Sequence, residues 1–378
     1  MMPLYLDYNA TAPVDPRVFD AMRPYFLEEV GNAGSWTHTY GKRAKDAAET
    51  AREQVATLLG AKSEEILFTS GATESNNLVL LGLARHGDAS GRKHVLATAI
   101  EHKSVLEPLD RLREAGFEVE LLPVNAGGYV EPQVVQDRLR SDSLLVSVMH
   151  ANNETGILQP VLEIGEILAT TKTLFHVDAA QTFGKEVEAL RQLRCDFLSI
   201  SAHKIYGPKG MGALFARRKG VQRRPLTPLM FGGGQEMGWR PGTLPVPLAV
   251  GLGVAAELAG REYQQRREVC RHVKERLLRD LDAVEHAING DAGRAQAHVV
   301  NISFPGIDSE ALMMAVREEL AISNGAACTS ASYSRSHVLK AMGLPEERIA
   351  SAVRISWGPG VTAIPAGPIL TAVRSMRG

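Results

Sequence analysis

The chain has 378 residues, of which 44% are hydrophobic and 22% charged, and 42 basic residues against 43 acidic ones leave a net charge of −1. This length exceeds what one hydrophobic core usually serves, so we expect two domains of an ordinary globular protein. The balanced charge gives no overall attraction to nucleic acid or to an anionic membrane, and we expect neither as a direct partner.

The N-terminus and the cysteines argue against secreted, membrane-spanning and disulfide-rich proteins. Residues 1–7 show no basic region followed by an apolar stretch, and no later segment is an uninterrupted apolar run of about 18 residues. We therefore expect a cytoplasmic protein without a membrane span. Cys195, Cys270 and Cys328 are an odd number without a C-x-x-C pair. They indicate neither a disulfide framework nor a metal site, so we expect at least one free thiol.

The apolar pattern predicts an α/β fold. A short strand in residues 4–13 precedes a long amphipathic helix from Lys42 to Leu59, which ends at Gly60. Apolar strands then alternate with helical patterns, which is typical of a mostly parallel sheet covered by helices. The seven predicted strands are 66–68, 95–97, 119–122, 144–149, 174–177, 197–200 and 213–215. A helical pattern over 246–281 leads to strands at 299–304 and 353–356 and a helix at 309–320, which predict a smaller α/β domain.

Lys204 directly follows an apolar strand, at the edge where open α/β sheets place their ligands. A partly desolvated lysine can lose its proton there and form a Schiff base. For a single lysine, a solvated residue that opens a turn would be the better interpretation. Asp178 favours the Schiff-base interpretation, because it follows another strand at the same edge. A carboxylate there can keep the ring nitrogen of pyridoxal phosphate (PLP) protonated.

These two segments resemble the aspartate and Schiff-base lysine motifs of fold-type I PLP enzymes of the class V aminotransferase group. Within that group the chain resembles the NifS/IscS-like cysteine desulfurases over nearly its whole length. The resemblance implies a large PLP-binding domain, which we place at residues 14–256, around a mostly parallel seven-stranded sheet. It also implies that the N-terminal strand joins the smaller domain. That domain then comprises residues 1–13 and 257–378 and carries a catalytic cysteine loop at about 321–334.

A phosphate cup is predicted where Ser70-Gly71-Ala72-Thr73 follows a strand and opens an apolar helix. Free backbone N–H groups and the positive end of the helix dipole attract phosphate at such a position. A plain helix cap at Thr73 is the alternative, and the presence of Lys204 favours phosphate. The resemblance implies that the PLP phosphate is held by Gly71, Ala72, Thr73, Ser201 and His203.

Three polar residues follow strands at the same edge. A lone histidine such as His102 is more often structural, but the resemblance implies that it stacks on the cofactor ring, where it could also move protons. Asn153 lies in Asn-Asn-Glu-Thr-Gly, which matches a family motif. The resemblance implies that Asn153 and Gln181 form hydrogen bonds near the cofactor's phenolic oxygen.

The glycine-rich loop that ends at Thr243 resembles the family's G-G-G-Q-E-x-G-x-R-x-G-T segment. In the family its threonine reaches the phosphate of the neighbouring subunit, so the resemblance implies a homodimer with shared active sites. As a bare glycine-rich loop it would be weak evidence.

Cys328 lies among small and hydroxyl-bearing residues, where bulky neighbours cannot pack it. A structural cysteine prefers apolar surroundings, which Cys195 has, while Cys270 lies in a polar helix. Cys328 is therefore the predicted nucleophile. Its segment resembles the S-S-G-S-A-C-T-S loop of desulfurases with the longer catalytic loop, with Asn324 and Ala326 in place of two serines. Such a loop can carry a thiol to the substrate and a persulfide to an acceptor.

Arg354 lies on a predicted strand, and its guanidinium suits fork-like pairing with the carboxylate of an amino acid. It matches the arginine of the family's V-R-F-S-L-G-R segment, and the resemblance implies that Asn32 assists it. Pro359 and Gly360 depart from that segment.

Together these features predict a PLP-dependent cysteine desulfurase. It would convert L-cysteine to L-alanine and leave a persulfide on Cys328 for a sulfur-acceptor protein. One alternative is a selenocysteine lyase or a class V aminotransferase, although an aminotransferase would have no use for Cys328. Another is a silent PLP-fold scaffold subunit. The destination of the sulfur stays open between iron-sulfur cluster assembly, tRNA thiolation and DNA phosphorothioation.

Overall fold

The computed structural model describes residues 2–325 and 335–378. Its strands, β1 to β12 in chain order, are Leu4–Tyr5, Ile66–Thr69, His94–Thr98, Glu118–Leu122, Ser143–Met149, Leu174–Asp178, Phe197–Ser201, Gly212–Ala216, Ala287–Ile288, Val299–Ser303, Leu320–Ala321 and Ala352–Ser356. Its helices, α1 to α14, are Pro16–Met22, Pro24–Leu27, Thr39–Leu59, Ala72–Gly82, Ala84–Ser90, Lys103–Glu114, Pro132–Arg138, Val161–Ala169, Val187–Gln192, Val246–Leu281, Ser309–Val316, His337–Ala341, Glu346–Ala350 and Gly367–Arg377.

The largest sheet has seven strands in the order β2-β8-β7-β6-β5-β3-β4. Its strand pairs are parallel except those of β8, which is antiparallel to both β2 and β7. Every residue of β3, β5 and β7 is buried, as expected for strands that helices cover on both faces. The predicted α/β fold with a mostly parallel seven-stranded sheet is confirmed.

The register of this sheet brings three strand ends together. Met149 at the end of β5 pairs with Asp178 at the end of β6, and Asp178 pairs with Ser199 in β7. Because these strands are parallel, the residues that follow them meet at one edge of the sheet. That edge carries the candidate site.

A second group of strands includes the N-terminus. The strands β12, β10 and β9 form an antiparallel sheet, and β1 pairs in parallel with β11 through Leu4 and Leu320. A further bridge joins Asp7 to Ser356 at the end of β12. The first residues therefore lie against the C-terminal part of the chain, while the domain boundaries proposed above stay a prediction.

The helix α10 links the apolar cores of the two parts. Its first half, including Ala249 and Leu252, packs in the cluster below the large sheet, and its second half, including Cys270 and Leu277, packs in the cluster around β10 and β12. Its observed bounds, Val246–Leu281, are the predicted ones.

Other predicted boundaries were less accurate. The helix α3 begins at Thr39, three residues earlier than predicted, because the His38 side chain accepts a hydrogen bond from the Gly41 amide and caps it. The helix α11 ends at Val316, since the chain turns there into β11. Among the described helices, none is both long and apolar enough to cross a membrane.

Candidate active site

A cavity of about 210 Å³ lies at the carboxyl ends of β5, β6 and β7. It is also bordered by the first turn of α4 and by the turn that follows β1. Ten of the residues predicted for the site line this cavity, namely Lys204, Asp178, His102, Gln181, Asn153, Ala72, Thr73, Ser201, His203 and Arg354. The motifs that were spread over the sequence thus meet in one place.

Four predicted residues do not line the cavity. Gly71 lies immediately before α4, next to Ala72, which lines the cavity. Asn32 and Thr243 are exposed in this single chain, and the Asn32 side chain accepts a hydrogen bond from the Gly34 amide at 2.8 Å. Cys328 lies outside the described residues.

Lys204 lies in a single 3-10 turn that follows β7. Its Nζ donates to the carbonyl of Ala10 at 2.8 Å and to that of Asn9. Two residues later, Tyr206 has a φ of 69°, which is uncommon for a residue with a side chain. This turn directs the lysine toward the segment after β1 and into the cavity.

Asp178 is fixed by two donors. Its Oδ1 accepts from the Ala180 amide at 2.9 Å, and its Oδ2 accepts from Asn76 Nδ2 at 2.8 Å. Asn76 also donates to Ser104 Oγ at 2.9 Å. These bonds orient a buried carboxylate at the wall of the cavity, and they connect it to the residue that holds His102.

The tautomer of His102 follows from its neighbours. Its Nδ1 accepts from the Ser104 amide at 3.1 Å and lies 2.8 Å from Ser104 Oγ. Burial lowers the pKa of His102 below its ordinary value, so the ring is neutral near pH 7 and carries its proton on Nε2. A neutral imidazole of fixed orientation suits stacking against a flat aromatic ring.

The segment predicted to bind the phosphate lies at the start of α4. The Ala72 amide donates to Ser201 Oγ at 2.9 Å, while amides of a first helical turn have no partner within the helix. Gly71 has a φ of +155°, and a Cβ placed on Gly212 would lie 2.5 Å from the Cα of Gly71. Both positions therefore require glycine for the helix end to approach the sheet this closely.

Arg354 lies on β12 and is only 2% exposed. It donates to Asp7 Oδ1 at 2.6 Å and to the Asn153 carbonyl at 2.9 Å. Among the described residues its Nε has no hydrogen-bond partner. A buried guanidinium with donor capacity left at a cavity wall is suited to bind a carboxylate.

This set of groups fits pyridoxal phosphate. One cavity combines a lysine amine, an oriented carboxylate, a neutral imidazole and the N-terminus of an eleven-residue helix. In addition, Gln181 Oε1 and Asn9 Oδ1 are buried oxygens without a hydrogen-bond partner among the described residues. Buried polar atoms of native proteins are normally satisfied, so these two indicate that a bound molecule completes the site.

Sequence reasoning missed three residues of the site. The Asn9 carbonyl accepts from both Lys204 and Gln181, and Asn76 and Ser104 connect Asp178 to His102. Asn76 lies four residues after Ala72 and so on the same face of α4, a spacing that could have predicted it. The role of Asn9 depends on a backbone oxygen and has no signal in its side chain.

The two described cysteines lie away from this cavity, and both are buried. Burial raises the pKa of Cys195 to about 12 and that of Cys270 to about 11, so both are thiols at neutral pH. No cluster of three or more histidine, cysteine, aspartate or glutamate side chains within residues 2–325 and 335–378 could hold a metal ion.

Known proteins were compared with the chain. It is 48% identical over 358 residues to the mitochondrial cysteine desulfurase of Drosophila melanogaster, with 94% of this chain and 77% of that protein covered. It is 47% identical over 359 residues to the cysteine desulfurase IscS of Anaeromyxobacter sp. strain K, with 94% and 88% covered.

Two solved structures have the same fold. A NifS-like protein matches with a TM-score of 0.89 at 35% identity, over 99% of this chain and 98% of that one. DndA from Streptomyces lividans matches with a TM-score of 0.82 at 47% identity, over 94% and 99%. The family model described as "Aminotransferase class-V" matches residues 4–363 of this chain. With the geometry above, these matches establish that the chain belongs to the class V aminotransferase family, whose cofactor is pyridoxal phosphate, and within it to the NifS/IscS-like group.

Proposed function

We propose that the chain is a PLP-dependent cysteine desulfurase that converts L-cysteine to L-alanine and passes the sulfur through Cys328 to an acceptor protein. The observation that carries this proposal is the single cavity in which Lys204, Asp178 and Arg354 meet. The cysteine desulfurases to which the chain is similar support the choice of substrate.

Each side chain has a distinct task in this reaction. Lys204 would hold the cofactor. When the substrate takes the place of the lysine on the cofactor, the freed amine would remove the proton from the substrate's Cα. Asp178 keeps its carboxylate against the cofactor ring, because Asn76 and Ala180 fix both of its oxygens. Arg354 binds the substrate carboxylate, with Asn32 as its proposed helper. Bound pyridoxal phosphate supplies the electron sink that makes the Cα proton acidic.

The amides of Gly71, Ala72 and Thr73, with Ser201 and His203, are proposed to hold the phosphate. The pKa of His203 is lowered to about 4 by burial and by the charge of Lys204, so it offers a neutral ring. His102 is proposed to stack on the cofactor ring, and Asn153 and Gln181 are proposed to lie near its phenolic oxygen. All of these residues except Gly71 line the cavity, which supports the assignment.

Sulfur transfer falls to Cys328. Its thiolate would attack the sulfur of the substrate, so that a sulfur–sulfur bond forms on Cys328 while the substrate's Cβ–S bond breaks. The electron pair of the broken bond stays with the carbon skeleton, which is released as L-alanine after protonation. Neither Cys195 nor Cys270 is a competing candidate, because each is buried and protonated.

We further propose that the enzyme works in the cytoplasm as a homodimer. Several large apolar side chains are exposed in the single chain, including Trp36 at 90% and Phe231 at 85%. Thr243, which belongs to the same glycine-rich segment as Phe231, is exposed as well. A second copy that covers these residues would bring the partner's Thr243 to the phosphate, and sedimentation of the holoenzyme as a monomer would contradict this.

The reaction is tested by adding L-cysteine to the purified holoenzyme with a reducing thiol and assaying alanine and sulfide together. We expect one alanine for each sulfide. An aminotransferase would instead need a keto acid to turn over, a selenocysteine lyase would act on selenocysteine and leave L-cysteine intact, and a silent scaffold would form no product. The protein that accepts the sulfur, whether for iron-sulfur clusters, tRNA thiolation or DNA phosphorothioation, is then identified by transfer of labelled sulfur.

A further inference from the structure

Glu154 is a buried carboxylate beside the cavity to which the reaction assigns no task. It is 3% exposed and directly follows Asn153, which lines the cavity. Its backbone is held on both sides, because its amide donates to Asn152 Oδ1 at 2.9 Å and its carbonyl accepts from Asn301 at 3.2 Å. A buried carboxylate is costly unless its hydrogen bonds are satisfied, so its contacts are informative.

One contact of Glu154 is with the chain just before residue 326. Gly325 has a φ of +82°, and a Cβ placed on it would lie 3.2–3.3 Å from Cβ, Cγ and Oε2 of Glu154. The Gly325 amide donates to Ser323 Oγ at 3.1 Å, and Ser323 forms a backbone bridge with Arg354. Residues 323–325 therefore connect Arg354, the proposed substrate-binding residue, to the Glu154 side chain.

The other contact is with the chain just after residue 334. Ser336 Oγ donates to Glu154 Oε2 at 2.5 Å and also accepts from the Leu339 amide at 3.0 Å, which caps α12. The next residue, His337, has its Nε2 3.0 Å from the Glu101 carbonyl. Residues 336 and 337 are thus bound to the immediate neighbours of two cavity residues, Asn153 and His102.

We infer that Glu154 is a positioning residue: it fixes Gly325 and Ser336, the described residues on either side of positions 326–334, and its loss slows the sulfur transfer proposed for Cys328. The inference rests on the proposed role of Cys328. Residues 325 to 336 are twelve positions of the chain, and the first and the last of them both lie beside the Glu154 side chain. Cys328 is only three residues from Gly325 in the sequence, so the proposal links the contacts of Glu154 to the rate at which this thiol reacts.

Loss of this anchor should separate two steps of the reaction. Substrate binding depends on Lys204, Asp178 and Arg354. The hydrogen bonds of Asp178 and Arg354 described above go to Asn76, Ala180, Asp7 and the Asn153 carbonyl, and not to the Glu154 side chain. Persulfide formation depends on the thiol reaching the substrate's sulfur, and small misplacements of a reacting group slow such steps strongly. A Glu154 variant should therefore bind L-cysteine normally and transfer its sulfur slowly.

The experiment compares Glu154→Ala, Glu154→Gln and Ser336→Ala in the holoenzyme, with Glu347→Ala as the control, because Glu347 is an exposed glutamate. Binding of L-cysteine is followed by the change in the cofactor's visible absorption, and persulfide on Cys328 is followed in a single turnover. For Glu154→Ala and Ser336→Ala we expect unchanged binding but persulfide formation slowed roughly tenfold to a hundredfold. Glu154→Gln should recover most of the rate, because an amide oxygen still accepts from Ser336.

An unchanged persulfide rate in Glu154→Ala and Ser336→Ala would overturn the inference. So would a parallel loss of cofactor, cysteine binding and thermal stability in both, because that pattern describes a purely structural residue. A Glu154→Gln enzyme as slow as Glu154→Ala would also contradict it. If the wild-type holoenzyme itself forms no alanine from L-cysteine, the proposed function fails. That result differs from a failure of this inference, in which the wild type is active and the variants transfer sulfur as fast as the wild type.

Discussion

Two of the cavities formed by the described residues each include a partly buried lysine, and the surroundings of the two lysines differ. The Lys204 cavity measures about 210 Å³, and the Lys185 cavity, beside α10 and the start of β10, measures about 40 Å³. Lys185 Nζ lies 3.0 Å from His298 Nε2, and Cys270 lines the same cavity. A lysine, a histidine and a cysteine thus occur together where no cofactor has room.

The difference lies in what accompanies each lysine. Burial lowers the pKa of Lys185 to about 7 and that of His298 well below its ordinary value, so the pair can share a hydrogen bond without a full charge. Lys204 instead shares its cavity with Asp178 and the first turn of α4. Both cavities contain a carboxylate, since Glu186 lines the Lys185 cavity. What distinguishes the Lys204 cavity is a carboxylate held by Asn76 and Ala180, together with the N-terminus of an eleven-residue helix.

The largest expected effect separates the two lysines directly. Lys204→Ala should lower alanine formation by at least roughly a thousandfold, because both the cofactor attachment and the Cα proton transfer are lost. Lys185→Met should keep the activity within a few-fold and lose only stability, because it leaves His298 Nε2 without its neighbour. Initial rates with L-cysteine check both variants. Equal losses in the two would remove the distinction between the cavities.

Asp178→Asn tests the carboxylate that Asn76 and Ala180 hold in the Lys204 cavity. We expect the rate to fall by roughly a hundredfold, because a neutral amide no longer favours a protonated ring nitrogen. Cofactor content should stay near that of the wild type, since the phosphate cup and Lys204 are intact. The ratio of cofactor to protein, measured with the initial rate, gives the answer, and a normal rate in this variant would show that the carboxylate is dispensable.

Arg354→Lys tests the substrate side of the cavity. Lysine keeps the positive charge but cannot bridge Asp7 and the Asn153 carbonyl in the same fork. We expect the KM for L-cysteine to rise by roughly tenfold, with a smaller change in kcat. A fall in kcat at unchanged KM would place Arg354 outside substrate binding.

The last expected effect is on stability rather than on the rate, and it involves Glu101, next to His102. Burial raises the pKa of Glu101 from 4.5 to about 8, so between these values the folded state keeps a proton that the unfolded state releases. Stability must then fall as pH rises through this window. In Glu101→Gln that slope is absent, and its stability relative to wild type should grow by about 1.4 kcal/mol per pH unit. Urea unfolding at pH 5 and pH 8 measures it, and equal differences at the two pH values would contradict the assignment.

Local patterns predicted much of this molecule. The strands that end at Asp178 and Ser201, and the helix α10, were predicted because apolar runs and their periods are properties of the sequence. The contacts of Asn9, whose carbonyl accepts from Lys204, could not be predicted, because they depend on where β1 joins the opposite end of the chain. The same holds for Glu154, whose partners are distant in sequence. Asn32 and Thr243 lie apart from the cavity in one chain, so their predicted roles depend on a second copy.

The central claim is that sulfur passes through Cys328 and through neither of the other two cysteines. The most direct measurement is peptide mass spectrometry of the holoenzyme after a short exposure to L-cysteine without an added thiol. We predict one extra sulfur atom on the peptide that contains Cys328, with the Cys195 and Cys270 peptides unchanged because burial keeps both protonated. Alanine formed with no added sulfur on Cys328, or with sulfur on Cys270, would contradict the account.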